Sequence, residues 1–350
     1  MKKSVGLIGV FLSVMLVLCA CTSNQKETSE KETSVPTTAQ PKEEKEEKTV
    51  TYPLTGLPAE GGITNRRVIG VMVNNHSLAR PQSGLHKADI VYEILTEGQI
   101  TRFLAIFQSQ TPEIIGPVRS ARPYFIELNN GYGGLYIAHG WSPQAKQILE
   151  SGVTDYLQGL YYDGTLFKRA AFRKAPHNSY IPYENVIKGA KEKGYALTQD
   201  VEPLPFLKKK EMSDIPGDDV QSVTVTYAKD NVVNYEYHPD EGLFYRHING
   251  EQAEDRETKT PLTAANVFIV SADHRFIDSY RREIDLNKGG PAYLLQKGKL
   301  QEVEWKNVND RILPYKNGQP VKFVPGNTWI NIIDSKSGLE GAVKINGEGA

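Results

Sequence analysis

The chain has 350 residues and a formal net charge of −1, from 41 Lys and Arg against 42 Asp and Glu. That length suits roughly two domains of ordinary size. The near-zero balance argues against a general nucleic-acid binder, which carries a basic excess, so any charged site has to be local.

Lys2 and Lys3 precede an apolar run from Val5 to Ala20, the pattern of a secretory signal, which places residues 1–20 outside the fold. The run is short for a membrane span. It ends in "LCAC", Leu18 to Cys21, which resembles a bacterial lipobox. The resemblance implies cleavage behind Ala20, a diacylglycerol thioether on Cys21, and attachment to the outer face of the cytoplasmic membrane. Both cysteines of the chain lie in this segment, so the remaining body has no disulfide, cysteine nucleophile or cysteine-bound zinc. Residues 22–50 are Lys, Glu, Thr, Ser, Gln and Pro with almost no apolar side chains, too few to offset ordering entropy. With Cys21 they form an expected tether over 21–50, spanning roughly 30 Å as a coil.

Folded character begins near Tyr52. "RVIGVMVNN" (67–75) reads as a buried strand, and "ADIVYEIL" and "TRFLAIFQ" as two more joined by a turn at Gly98. "PYFIELNN" from Pro123, "SPQAKQILESG" capped by Ser142, and "PYENVIKGAKEKG" (182–194) read as helices, with "GLYIAH" a strand between the first two. An α+β or α/β N-terminal domain is therefore expected over 51–205. Beyond it "SVTVTYA", "NVVNYEYH", "GLFYRHING", "NVFIV", "PAYLLQ", "LQEVEW", "PVKFVPG" and "TWINII" are short strands set off by turn residues. They predict a smaller, mostly β C-terminal domain over 215–345.

The chemistry concentrates at "IGPVRSARPY" (115–124), which places Arg119 and Arg122 at the start of a helix opened by Pro123. A helix N-terminus already carries partial positive charge and unpaired N–H groups. Two guanidiniums about 6 Å apart repel by roughly 3 kcal/mol at an effective dielectric near 20. An anion removes both penalties, and forked donors at a helix end suit phosphate or carboxylate. The structural alternative pairs Arg119 with Glu93 or Glu97 and leaves Arg122 in water. Polar loops of the same part, "NNHSLARPQSG", "HGWSPQ" and "FKRAAFRKAPHN", follow strands or open helices, where crevices of α/β sheets form. Together they predict one basic, amide-rich crevice of Arg119, Arg122, Arg173, Lys174, His177, Asn178, Asn75, Arg102 and His139. Trp141 reads as a core side chain, with stacking on a sugar as the alternative. Glu93 and Glu97 could serve glycan cleavage, or pair with Arg102 or Arg119. No G-x-S-x-G, H-E-x-x-H or Walker loop occurs, and the seven histidines show no metal-ligand spacing, so neither metal nor cofactor is expected.

The run "VMVNNHSLARPQSGLHKADIVYEILTEGQITRFLAIFQSQTPEIIGPVRSARPYF", then "RKAPHN" and "PGNTWI", resembles the YerB-like bacterial lipoproteins. The resemblance covers nearly all of the chain beyond the tether. It implies a lipid-anchored envelope protein with an N-terminal and a C-terminal domain of unknown function, and it supplies no catalytic residues. A fainter likeness, in the order of elements around "PVRSARPY", is to the LytR-CpsA-Psr enzymes, which transfer polymers from a polyprenyl pyrophosphate carrier. The expectation is thus a membrane-anchored protein that binds an anionic wall polymer, a wall precursor or another envelope protein, and no nucleic acid. The alternative is a wall enzyme, either a pyrophosphate-linked glycopolymer transferase or a glycan-cleaving enzyme.

Overall fold

The computed structural model of the chain describes residues 50–345. The signal segment, Cys21 and all but the last residue of the expected tether lie outside them. Among the described residues no helix is long and apolar enough to cross a membrane.

A 13-stranded sheet organises the protein. Ile69–Asn74 pairs in parallel with Leu135–Ala138 and antiparallel with Thr101–Phe107, which forms a hairpin with Ile90–Leu95. Ile90–Leu95 pairs in parallel with Thr328–Asp334, and that strand in parallel with Asn266–Phe276. Gly290–Gln296, Lys299–Val308 and Arg311–Lys316 extend the sheet by antiparallel neighbours. The expected α+β part and the mostly β part are both present, and one sheet runs through them.

The apolar runs are continuous because both faces of this sheet are covered. Along the central strands alternate residues part to opposite sides. Val71, Val91, Phe103 and Trp329 join one core, with Val223, Val233, Tyr235 and Phe244 from a second, six-stranded sheet. Met72, Tyr92, Leu104 and Ile330 join the other, with Phe125, Ile126 and Leu128 from the helix Pro123–Asn130. That helix and Pro143–Glu150 both begin at proline, and Ser142 Oγ accepts the Ala145 N–H at 3.3 Å as its cap. "PVKFVPG" departs from its strand reading: only Gln319–Pro320 is paired as a strand. Pro320 and Pro325 have no N–H for a ladder, and the stretch serves as a connector that buries Phe323 and Val324.

Asp89 illustrates the cost of a buried carboxylate. It is 1% exposed and accepts the backbone N–H groups of Gln108 at 2.6 Å and Ser109 at 2.9 Å, together with the Ser109 hydroxyl. Burial raises its pKa from 3.8 to about 6 against these donors. The folded state therefore holds the proton more tightly than the unfolded chain. Stability from this group is full below pH 4 and falls as pH rises through 6, by about 3 kcal/mol. Urea unfolding at pH 5 and pH 8 should show about 1.4 kcal/mol of this loss in the parent and not in Asp89→Asn. Equal slopes in the two would refute it.

Candidate functional site

Ile69–Asn74 and Leu135–Ala138 are parallel neighbours, so their carboxyl ends lie at one edge of the sheet. Two polar segments leave there, Asn74–Gln82 and His139–Ser142. The segment 115–122 crosses between them. Its Arg119 N–H donates to Met72 O at 2.9 Å, and the His139 N–H donates to Arg119 O at 3.0 Å. The segment 170–179 closes the edge, with the Val118 N–H on Ser179 O at 2.6 Å.

The arginines divide into paired and unpaired. Arg102 and Arg122 both bind the Glu97 carboxylate, Arg102 at 2.6 Å. Arg102 also donates to Ser120 O at 2.8 Å and Arg122 to Ala121 O at 2.6 Å. Burial lowers the pKa of both, that of Arg102 to about 10. Arg119 is different. It is partly buried, and no described residue hydrogen-bonds to its guanidinium or pairs with it. Burial, and then the Arg102 charge, lower its pKa to about 10.

Two imidazoles face the same region, and their tautomers follow from their partners. The Leu78 N–H donates to His76 Nδ1 at 3.1 Å, so that nitrogen is unprotonated and the proton sits on Nε2. Asn74 Oδ1 accepts the His76 N–H at 3.0 Å, which turns the Asn74 amide nitrogen to His177 Nδ1 at 2.9 Å. His177 is therefore also an Nε2–H tautomer. The rings lie 4.6 Å apart at 32°. Burial, then His76 and Arg119, lower the His177 pKa. His76, Arg119 and His177 together leave only donors unused.

His139 is occupied on both sides. Arg169 donates to Nε2 at 2.9 Å, so Nδ1 carries the proton and donates to Ser179 Oγ at 2.7 Å. Burial, then Arg169, hold its pKa below the ordinary value. Arg169 also grips Asp163, at 2.9 to 3.1 Å, and donates to Asn178 Oδ1 at 3.1 Å.

Of the nine side chains singled out from sequence, Arg119 and His177 come together with unused donors. Asn178 and His139 adjoin them through Arg169. Arg173 lies nearby but donates to Tyr180 Oη at 2.5 Å and Pro81 O at 2.7 Å. Lys174 is exposed. Arg102 and Arg122 are tied to Glu97. Asn75 is 3% exposed and fully engaged, donating to Glu93 and Thr101 and accepting from Arg80 and Gln82. Sequence reasoning did not single out His76 for the site, and it left Arg169 and Asp163 out as well. The "NNH" at a strand end was the available signal. Among the described residues no group of three or more His, Cys, Asp or Glu stands where it could hold a metal ion.

A family model described as "Protein of unknown function (DUF3048) N-terminal domain" matches residues 54–196, and its "C-terminal domain" counterpart matches 223–330. A protein of Bacillus subtilis (strain 168) named "Putative lipoprotein YerB" is 51% identical over 302 residues, covering 85% of this chain and 89% of that one. The crystal structure of YerB protein from Bacillus subtilis superposes with a TM-score of 0.79 at 49% identity, over 85% of this chain and 99% of that one. The two matched regions meet in the parallel pairing of Ile90–Leu95 with Thr328–Asp334, and the chain belongs to the two-domain DUF3048 family that includes YerB.

Proposed function

We propose that the chain is a lipid-anchored envelope protein that binds a phosphate-like anionic group in the crevice of His76, Arg119 and His177. The anchor rests on "LCAC", which lies outside the described residues, and on the name of the Bacillus subtilis relative. Binding rests on one observation: a partly buried guanidinium without a counter-ion, beside two imidazoles whose remaining edges are N–H donors. A buried cation without a partner is costly. An anion offsets that cost and gains charge-assisted hydrogen bonds.

Binding fits this geometry better than glycan cleavage. Glycan cleavage needs two free carboxyl groups, but Glu93 is bound to Arg246 and Glu97 to Arg102 and Arg122.

The test is thermal stability and calorimetry of the full chain in detergent with inorganic phosphate and pyrophosphate. An anion at a hundred times its Kd adds about 2.7 kcal/mol of stability. Arg119→Ala should weaken binding about 10- to 100-fold while leaving the unliganded protein at least as stable as the parent. Burial and neighbouring cations depress His177, and a bound anion raises it, so affinity for sulfate, which stays a dianion throughout, should grow as pH falls from 8 to 5.5. Equal stabilisation of parent and Arg119→Ala, or none in either, would sink the proposal.

A further inference from the structure

Beside the crevice stands an aromatic shelf that anion binding leaves without a role. Trp141 follows His139 by two residues and bridges to Ala121, two residues beyond Arg119. Its ring meets Tyr161 edge-on at 5.6 Å and 72°, and Tyr156 at 6.4 Å and 66°. One side of Trp141 packs against the core. The other elements stay open: Leu160 is 56% and Tyr161 59% exposed. These two belong to the short helix Gly159–Tyr162, which is pressed onto His139, since a Cβ on Gly159 would stand 2.3 Å from that ring.

We propose that this shelf is a sugar subsite, and that the crevice takes a saccharide phosphate, its phosphate on Arg119 and its ring on Trp141 and Tyr161. This inference rests on the anion-binding reading. Three observations select the chemistry. The shelf is aromatic, with the exposed Tyr161 ring set edge-on to Trp141 at 72°, and an exposed aromatic face suits the C–H face of a pyranose. Its surroundings are polar: the Lys146 ammonium lies 5.7 Å over the Trp141 ring, where a sugar would take its place, and Tyr161 Oη reaches Glu150 at 3.4 Å. An acyl chain or apolar peptide would strand such groups, whereas sugar hydroxyls pair with them. Finally, the shelf is continuous with the crevice. Arg169, with its side chain 37% exposed, touches His139 on one side and Asn178, the neighbour of His177, on the other. Its partner Asp163 supplies an acceptor for hydroxyls.

Trp141 offers a direct readout. Trp305 and Trp329, the other two tryptophans, are each 1% exposed, so ligand-dependent protection from acrylamide quenching reports Trp141. The full chain in detergent is titrated with inorganic phosphate and with a panel of hexose and N-acetylhexosamine 1-phosphates. At least one sugar phosphate should bind about tenfold tighter than inorganic phosphate and shield the tryptophan. Trp141→Ala should reduce that affinity to the level of inorganic phosphate and leave the latter unchanged. Tyr161→Ala, at an exposed position, should act in the same direction and serves if Trp141→Ala fails to fold. If inorganic phosphate binds and no sugar adds to it, or if both variants weaken both ligands alike, the sugar subsite is refuted and the anion site stands. If inorganic phosphate does not bind at all, both fall. Binding of anionic vesicles through Trp141 and Tyr161, without a sugar increment, would also overturn the subsite in favour of a membrane contact.

Discussion

Arg246→Ala should lower the unfolding free energy by about 3–5 kcal/mol, the usual consequence of breaking a buried ion pair from one side. Arg246 Nη2 lies 2.9 Å from Glu93 Oε2, with side chains 2% and 0% exposed. Its other terminal nitrogen donates to Tyr235 Oη at 2.9 Å. The guanidinium is 4.6 Å from the Trp329 ring centroid and 5.4 Å from that of Phe103. Glu93 Oε1 accepts from Asn75 at 3.0 Å and Thr101 at 2.8 Å. Truncating Arg246 leaves a buried carboxylate with neutral donors alone and a void between aromatic rings. The two partners come from opposite matched regions, Glu93 from Ile90–Leu95 and Arg246 from Leu243–Ile248. Urea unfolding measures the loss. The double variant Glu93→Gln with Arg246→Met should lose less than Arg246→Ala, because no charge is stranded. A loss below about 1 kcal/mol for Arg246→Ala would show that the pair contributes little.

The same residues show what a linear sequence conceals. Strands and helices were legible because periodicity and caps are local: the helix Pro123–Asn130 begins and ends where Pro123 and Gly131 predict. The joining of the two parts in one sheet was not, since no local pattern says that Ile90–Leu95 pairs with Thr328–Asp334. Arg119 and His177 were both singled out from their polar loops, and the structure sets them near each other. Arg102, Arg122 and Asn75 were grouped with them because the sequence does not reveal their partners. The hairpin register sets Glu93 opposite Phe103 and Ile94 opposite Arg102, and the turn then brings Glu97 back onto Arg102. Arg246, the partner of Glu93, lies in a strand where sequence offered no chemistry. The expected pairing was in this sense inverted: Arg122 holds a carboxylate, and Arg119 holds none.

That inversion yields the second large effect. Glu97→Ala should destabilise the protein by about 3 kcal/mol or more, whereas Arg119→Ala should cost nothing. Arg102 and Arg122 have side chains 4% and 11% exposed, and Glu97 is the carboxylate each of them contacts. Without it, two desolvated cations stand with the uncompensated Arg119 nearby, and among the described residues Ser120 O and Ala121 O remain to accept from them. Adding sulfate should restore part of the stability of Glu97→Ala, because an inorganic anion can enter beside the freed guanidiniums, and should restore less in Glu97→Ala combined with Arg122→Met. Chemical unfolding with and without sulfate separates this from a simple packing loss, which an anion would not repair. The opposite result, a neutral Glu97→Ala and a costly Arg119→Ala, would reverse the roles of the paired and the free arginine. It would remove the physical reason for placing an anion at Arg119. The result expected here makes Glu97 the fixed counter-ion of two structural arginines, and so leaves Arg119 as the cation that a ligand has to neutralise.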